Sequence, residues 1–286
     1  MFDKISRSWA LAGECWDVLR EDPALLIFPL LSAMAIVLIL ASFAVPVWAM
    51  YHHHQAALVG GSVSHTARVL SYAGTYVFYV ISYSITMFFN SALIAVALRR
   101  LDGESASVQE GLQSALSNLP AILGYALIAA TVGMILRAIE QRVGIIGRIV
   151  TAIIGAAWTL ATAMTLPVLV VENVGPVDAI SRSLDLLRRN WGENLIGNVG
   201  ISMGMAVIAI PVCLLAGLFM MFAISTKGVG IVVLAAIVLL AAVVGLSLVS
   251  ATLHAIYTAA LYRFATGNKN NGGIGHELLA EAFQQK

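Results

Sequence analysis

Ile180-Ser181-Arg182-Ser183 repeats Ile5-Ser6-Arg7-Ser8, and each copy stands ahead of a pair of apolar runs long enough to cross a bilayer. Spanning about 30 Å of hydrocarbon takes roughly 20 helical residues. The runs that reach this length are 24–50, 69–98, 120–139, 148–171, 195–224 and 229–262. Several exceed the minimum, which implies tilt or extension past the headgroups. The third and fourth are separated only by Gln141 to Gly147 and the last two by Thr226-Lys227-Gly228, so each pair reads as a helical hairpin. The expected fold is all-α: a polytopic membrane protein with six transmembrane helices.

Composition points the same way. Of the 286 residues 60% are hydrophobic and 11% charged, where soluble domains carry about a quarter charged residues; the mean hydropathy is +0.90. A net charge of +1 leaves no basic stripe for phosphate neutralisation, so a nucleic-acid partner is not expected. Cys15 and Cys213 are the only cysteines, one in a polar-faced segment and one in an apolar run, and no disulfide is expected between them. The amphipathic start, without a short apolar core and small-residue cleavage site, does not read as a cleaved signal peptide.

Around each copy of the repeated tetrapeptide, apolar residues fall at helical spacing. Phe2, Ile5, Trp9, Ala12, Trp16 and Leu19 share a face in the first copy; Val177, Ile180, Leu184, Leu187 and Trp191 do so in the last. Val108, Leu112, Ala115 and Leu119 form a weaker middle copy, with Ser114 in the place of Ser8 and Ser183. These read as interfacial amphipathic helices anchored by Trp9, Trp16 and Trp191. Span ends repeat as well: Asn90 to Gly103 runs parallel to His254 to Gly267, with Thr162 to Gly175 a degenerate middle copy. The domain expected over 1–267 is thus three units of interfacial helix plus transmembrane hairpin, about 1–103, 104–175 and 176–267. A Gly- and Asn-rich exit then leads into a cytoplasmic tail over 268–286, where Leu278, Leu279, Ala282 and Phe283 suggest a short helix.

Basic residues flanking spans stay on the cytoplasmic side during insertion. Lys4, Arg7, Arg20, Arg99, Arg100, Arg182, Arg188, Arg189, Arg263, Lys269 and Lys286 fall on one side, and Arg68, Arg137, Arg142, Arg148 and Lys227 on the other. The excess puts both termini in the cytoplasm. Arg137, Arg142 and Arg148, around the tip of the middle hairpin, locally oppose the rule.

The Ile-Ser-Arg-Ser helix, the span that follows it and the Asp102-Gly103 exit resemble a family of bacterial and archaeal integral-membrane proteins without an assigned activity. That family is related to the membrane domains attached to glycerophosphodiester phosphodiesterases. The resemblance covers nearly the whole chain and implies a six-helix domain in the cytoplasmic, or inner, membrane of a prokaryote. It supplies no catalytic residue, because the soluble phosphodiesterase barrel has no counterpart here.

The second span carries the most polar face. Tyr72, Thr75, Tyr76, Tyr79, Ser82, Tyr83, Thr86 and Asn90 lie within about 120° of one another at 100° per residue. Hydroxyls facing lipid would lack partners, so this face looks into protein or water. It is either an interhelical hydrogen-bonding seam or a cavity for a lipid or small solute. The last span offers a matching stripe of Ser247, Ser250, His254, Tyr257 and Thr258, in which His254 occupies the position of Asn90 and Thr162 in the repeat. No Asp or Glu lies deep in a span, which argues against an ion-coupled transporter. His52, His53, His54 and His65 share a loop, but consecutive imidazoles cannot converge on one ion from a helix; His52, His54 and His65 are weak metal candidates, and no cofactor is expected. His276-Glu277 opens like a zinc-protease helix but lacks the second His. No phosphate loop, dinucleotide glycine pattern or nucleophile elbow is present.

Two functions are therefore expected in order. The first is a non-enzymatic membrane protein whose interfacial helices organise the membrane or dock a partner, with lipids, another protein or a second copy of the chain as partners. The second is a transporter or lipid-binding protein that uses the tyrosine face and His254.

Overall fold

The computed structural model describes residue 13 and residues 15–53, 65–189, 209–225 and 228–266; the side chains of 45–53, 65–72 and 189 lie outside that description. Every regular element among the described residues is helical. Helix α1 covers 15–21, followed by a 3-10 turn at Pro23–Leu26 that Asp22 caps by accepting from the Ala24 amide at 3.3 Å. Then come α2 (Ile27–His53), α3 (His65–Leu101), α4 (Val108–Ser117), α5 (Leu119–Glu140), α6 (Ile145–Ala161), α7 (Thr165–Glu172) and α8 (Pro176–Arg189). An apolar helix α9 occupies Ala209–Ser225, and α10 runs over Val229–Ala265.

Among the described residues five stretches are long and apolar enough to cross a membrane: Pro23–Ala44, Ala73–Leu101, Leu119–Glu140, Ile145–Glu172 and Val229–Ala265. The remaining expected run, 195–224, is described only over α9, and its first part lies outside the described residues. The apolar run read over 148–171 falls within the stretch Ile145–Glu172, inside which a turn at 162–164 separates α6 from α7. Pro167 explains the position of the break: it has no amide to give to the carbonyl four residues earlier, and its ring crowds that turn. The helix therefore stops at Ala161 and restarts at Thr165, with Pro167 in the first turn, where the missing donor costs little.

The chain divides into two compact units. One comprises 28–95 and 109–185. There α5 packs against α6 and α7 through Ile122, Tyr125, Ala126, Ala129 and Ala130, while Met164, Val168, Leu169 and Ala179 are fully buried. Gly124 is required by this packing, because a Cβ at that position would stand 2.9 Å from Cγ of Pro176 at the start of α8.

The other unit comprises 1–27, 96–108 and 186–286. The Pro23–Leu26 turn packs on α10, and Leu25, Val96, Ala97, Leu253, Ile256, Tyr257 and Leu261 form the core. In α9 and the first half of α10 most large side chains are exposed; Ala216, Ala223 and Ala235 are buried. Small residues inside and large ones outside is the pattern of helices that approach closely in lipid.

Candidate functional site

Three polar arrangements stand out, and the first is the tyrosine face of α3. Tyr76 Oη lies 3.0 Å from Thr131 Oγ1 on α5. Thr131 already donates to the Leu127 carbonyl at 2.7 Å, so the phenol is the donor. One turn further, Tyr79 Oη accepts from Arg137 Nη1 at 2.9 Å, and the Tyr79 ring stacks on Tyr83 with centroids 5.9 Å apart. Gly133 leaves room for the Tyr83 hydroxyl, which a Cβ there would meet at an ordinary 3.8 Å. Thr86 donates to the Ser82 carbonyl at 2.9 Å, a local bond that satisfies its hydroxyl within the helix. Ser82 Oγ is buried without a hydrogen bond. Asn90 is half-buried, Thr75 is exposed, and the Tyr72 side chain lies outside the described residues.

The second arrangement is the break between α6 and α7. Ser183, the last residue of the repeated tetrapeptide, is fully buried on α8 and reaches into the gap. Its Oγ donates to the Ala161 carbonyl at 2.7 Å and accepts from the Met164 amide at 3.1 Å. One hydroxyl thus serves the orphan acceptor at one helix end and the orphan donor at the next, as an ordinary cap serves one. The Tyr125 phenol comes within reach of the Thr162 and Thr165 hydroxyls at the same break. Arg182, the neighbour of Ser183, pairs with Glu172 at the end of α7 at 3.2 Å. Consecutive residues of the tetrapeptide therefore hold both ends of α7: Ser183 its start and Arg182 its finish. Asn173 terminates α7 in the left-handed conformation, φ 50°.

The third is the exit of α3. Gly103 adopts φ +79°, with Glu104 N donating to Arg99 O at 2.9 Å and Gly103 N to Arg100 O at 3.0 Å. This is the Schellman arrangement, which needs a residue tolerant of positive φ. Arg100 then bridges Asp22 at 2.9 Å and the Ala106 carbonyl at 2.9 Å. Arg263 of α10 pairs with Asp102 at 3.1 Å and also donates to the Leu101 carbonyl. The Asp102-Gly103 exit singled out in the sequence is thus a turn tied by arginines.

Of the other residues singled out, Ser250 and His254 are half-buried, and His254 Nδ1 has no hydrogen-bond partner. Thr258 donates to the His254 carbonyl at 2.7 Å. These three belong to the unit that contains α10, whereas the tyrosines find their partners on α5. Trp16 is 47% exposed. Trp9, Trp191 and His54 lie outside the described residues, as do the side chains of His52 and His65. Among the described residues no group of three or more His, Cys, Asp or Glu is placed to hold a metal ion.

The amphipathic helix α8 differs from its expected packing. The face drawn through Val177, Ile180, Leu184 and Leu187 is not the one pressed on protein: Ala179, Ser183, Leu186 and Leu187 are buried, while Val177 is 67% exposed. The packed face is rotated by about 90° from the apolar one. Sequence reading also missed Thr131 and Arg137 as tyrosine partners. Arg137 registered there only as a charge in the orientation count.

By their length and hydropathy these helices place the chain in the class of multi-span helical membrane proteins. The chain belongs to DUF6159, a family of unknown function, whose model matches residues 69–273, more than half of the chain. The matched region includes the tyrosine face, the clasped break and the α3 exit. No curated protein and no solved structure matches the chain.

Proposed function

We propose that this is a non-enzymatic integral protein of a prokaryotic cytoplasmic membrane, with six spans in three units and both termini in the cytoplasm. Its short amphipathic helices lie at the cytoplasmic interface, where they organise the membrane or dock a protein partner. The observation that carries this reading is the division of α8 into three faces. Ala179, Ser183, Leu186 and Leu187 are buried; Val177, Ile180 and Leu184 form an adjoining apolar ridge that is exposed or half-buried; Asp178, Ser181, Asp185 and Arg188 are exposed. A helix with protein on one side, an apolar ridge beside it and charges opposite suits the boundary between acyl chains and water. The partnering of Tyr76 and Tyr79 by α5 favours this reading over an open solute path along α3.

The test is mass spectrometry of the full chain extracted in native lipid discs, wild type against Val177→Ser/Ile180→Ser/Leu184→Ser. A stoichiometric protein partner, or an altered membrane distribution, that depends on the ridge supports the reading. Identical partner recovery and distribution in the variant removes it.

A second reading, a transporter or lipid-binding protein using the α3 face and His254, is favoured by Ser82 Oγ and His254 Nδ1, both buried without hydrogen bonds. It predicts that Tyr76→Leu, Tyr79→Leu or Asn90→Leu alters a retained ligand while the protein stays folded. A ligand retained unchanged by all three excludes it.

A further inference from the structure

The turn between α5 and α6 concentrates cationic charge that forms no ion pair among the described residues. Arg137 lies in the last turn of α5, Arg142 in the Gln141–Gly144 turn and Arg148 in the first turn of α6; all three are exposed. Among the described residues none of the three forms an ion pair, although Glu140 is exposed in the same turn. The turn is collared by exposed isoleucines, among them Ile139, Ile145 and Ile146, the last two 78% and 80% exposed. An exposed apolar collar at the end of a membrane-crossing hairpin fits against acyl chains, which would set the arginines beside it at headgroup depth.

We infer that this turn is a binding site for the phosphate of anionic phospholipid headgroups. The Tyr79 phenol engages Nη1 of Arg137, which fixes that guanidinium at the seam while its other N–H groups stay available. A guanidinium donates two parallel bonds to a phosphate, and three of them on a turn this short match clustered anionic headgroups better than a single soluble anion. The site also accounts for arginines that oppose the orientation rule at this hairpin: they serve lipid contact rather than insertion. The inference rests on the reading of α5 and α6 as membrane spans.

The experiment places the full chain in discs of zwitterionic lipid and in discs that also hold a minor fraction of phosphatidylglycerol, and reads retained lipid by native mass spectrometry. Entry into the zwitterionic discs tests the spans; lipid preference tests the site. Wild type retains phosphatidylglycerol above its bulk fraction. Arg142→Gln/Arg148→Gln, with unchanged helicity and melting in zwitterionic discs, loses that preference by roughly tenfold or more, given about fivefold per basic residue near a charged surface. Arg142→Lys/Arg148→Lys, which keeps the charge but gives up the paired guanidinium bonds, falls between wild type and the glutamine variant and guards against a fold defect in the latter. Equal enrichment in wild type and the glutamine variant overturns the inference, as does a lysine variant that loses as much as the glutamine one. Free phosphate added to zwitterionic discs leaves melting unchanged; stabilisation by free phosphate equal to that by the lipid overturns the assignment to a headgroup.

Discussion

Replacing Ser183 with Ala removes one oxygen atom and leaves two backbone groups without that partner, the buried Met164 amide and the half-buried Ala161 carbonyl. The Ala161 carbonyl loses its donor at 2.7 Å and the Met164 amide its acceptor at 3.1 Å. An unsatisfied buried group costs about 1–3 kcal/mol, whereas side-chain bonds within membrane proteins average about 0.6 kcal/mol because the unfolded chain finds other partners. Two lost bonds therefore predict a loss of about 1 kcal/mol at the membrane-protein average and up to about 6 kcal/mol if both groups bear the full penalty, with about 2 kcal/mol as the central expectation. Unfolding in mixed micelles with a denaturing detergent, followed by tryptophan fluorescence, measures it; Trp158 lies on α6 one turn before the break. Ser181→Ala is the matched control, since Ser181 is exposed on the same helix. Hydrogen exchange gives a local readout: the Met164 amide should exchange about tenfold faster for each 1.4 kcal/mol lost from that site. If Ser183→Ala unfolds with Ser181→Ala and Met164 exchange is unchanged, the hydroxyl does not hold the break.

Gly124→Ala puts a Cβ 2.9 Å from the Pro176 ring and should destabilise by about 1–3 kcal/mol, whereas Gly133→Ala, with 3.8 Å of clearance from Tyr83, should be nearly neutral; melting in one detergent compares them. Arg263→Gln should cost more than Asp102→Asn, because Arg263 also serves the Leu101 carbonyl, and a double-mutant cycle should give a coupling of about 1 kcal/mol for this partly exposed pair. Tyr76→Phe should cost about 0.6–2 kcal/mol and Tyr79→Phe about the same, with the two effects non-additive if α3 and α5 separate as one seam; the same unfolding assay decides.

The spans were the readable part of the sequence, because length and hydropathy are local properties: α5 begins and ends within a residue of the run expected over 120–139. The tyrosine stripe was readable for the same reason, since a helical period exposes it without knowledge of any partner. Its partners were not, because Thr131 and Arg137 have no feature that separates them from other residues of α5. The break at 162–164 eluded a hydropathy reading because the run stays apolar through it. Pro167 is a local warning, but the hydroxyl that makes the break tolerable comes from Ser183, on a different helix. The rotation of α8 has a general cause. A helix that touches protein on one side and lipid on the next has two neighbours that accept apolar side chains, and periodicity reports only their combined direction.

The two arms of the α5–α6 hairpin are unequal. At 1.5 Å per residue the 22 residues of α5 reach about 33 Å and the 17 of α6 about 26 Å before the break. The second arm reaches across a hydrocarbon layer only with α7 added, because the stretch long enough to span is the 28 residues of Ile145–Glu172. Its joint at 162–164 therefore falls inside the crossing, where water is not at hand to serve the freed backbone groups. The Ser183 hydroxyl takes the place of that water, so the arm is a two-piece crossing whose pieces stay fastened to a neighbouring helix.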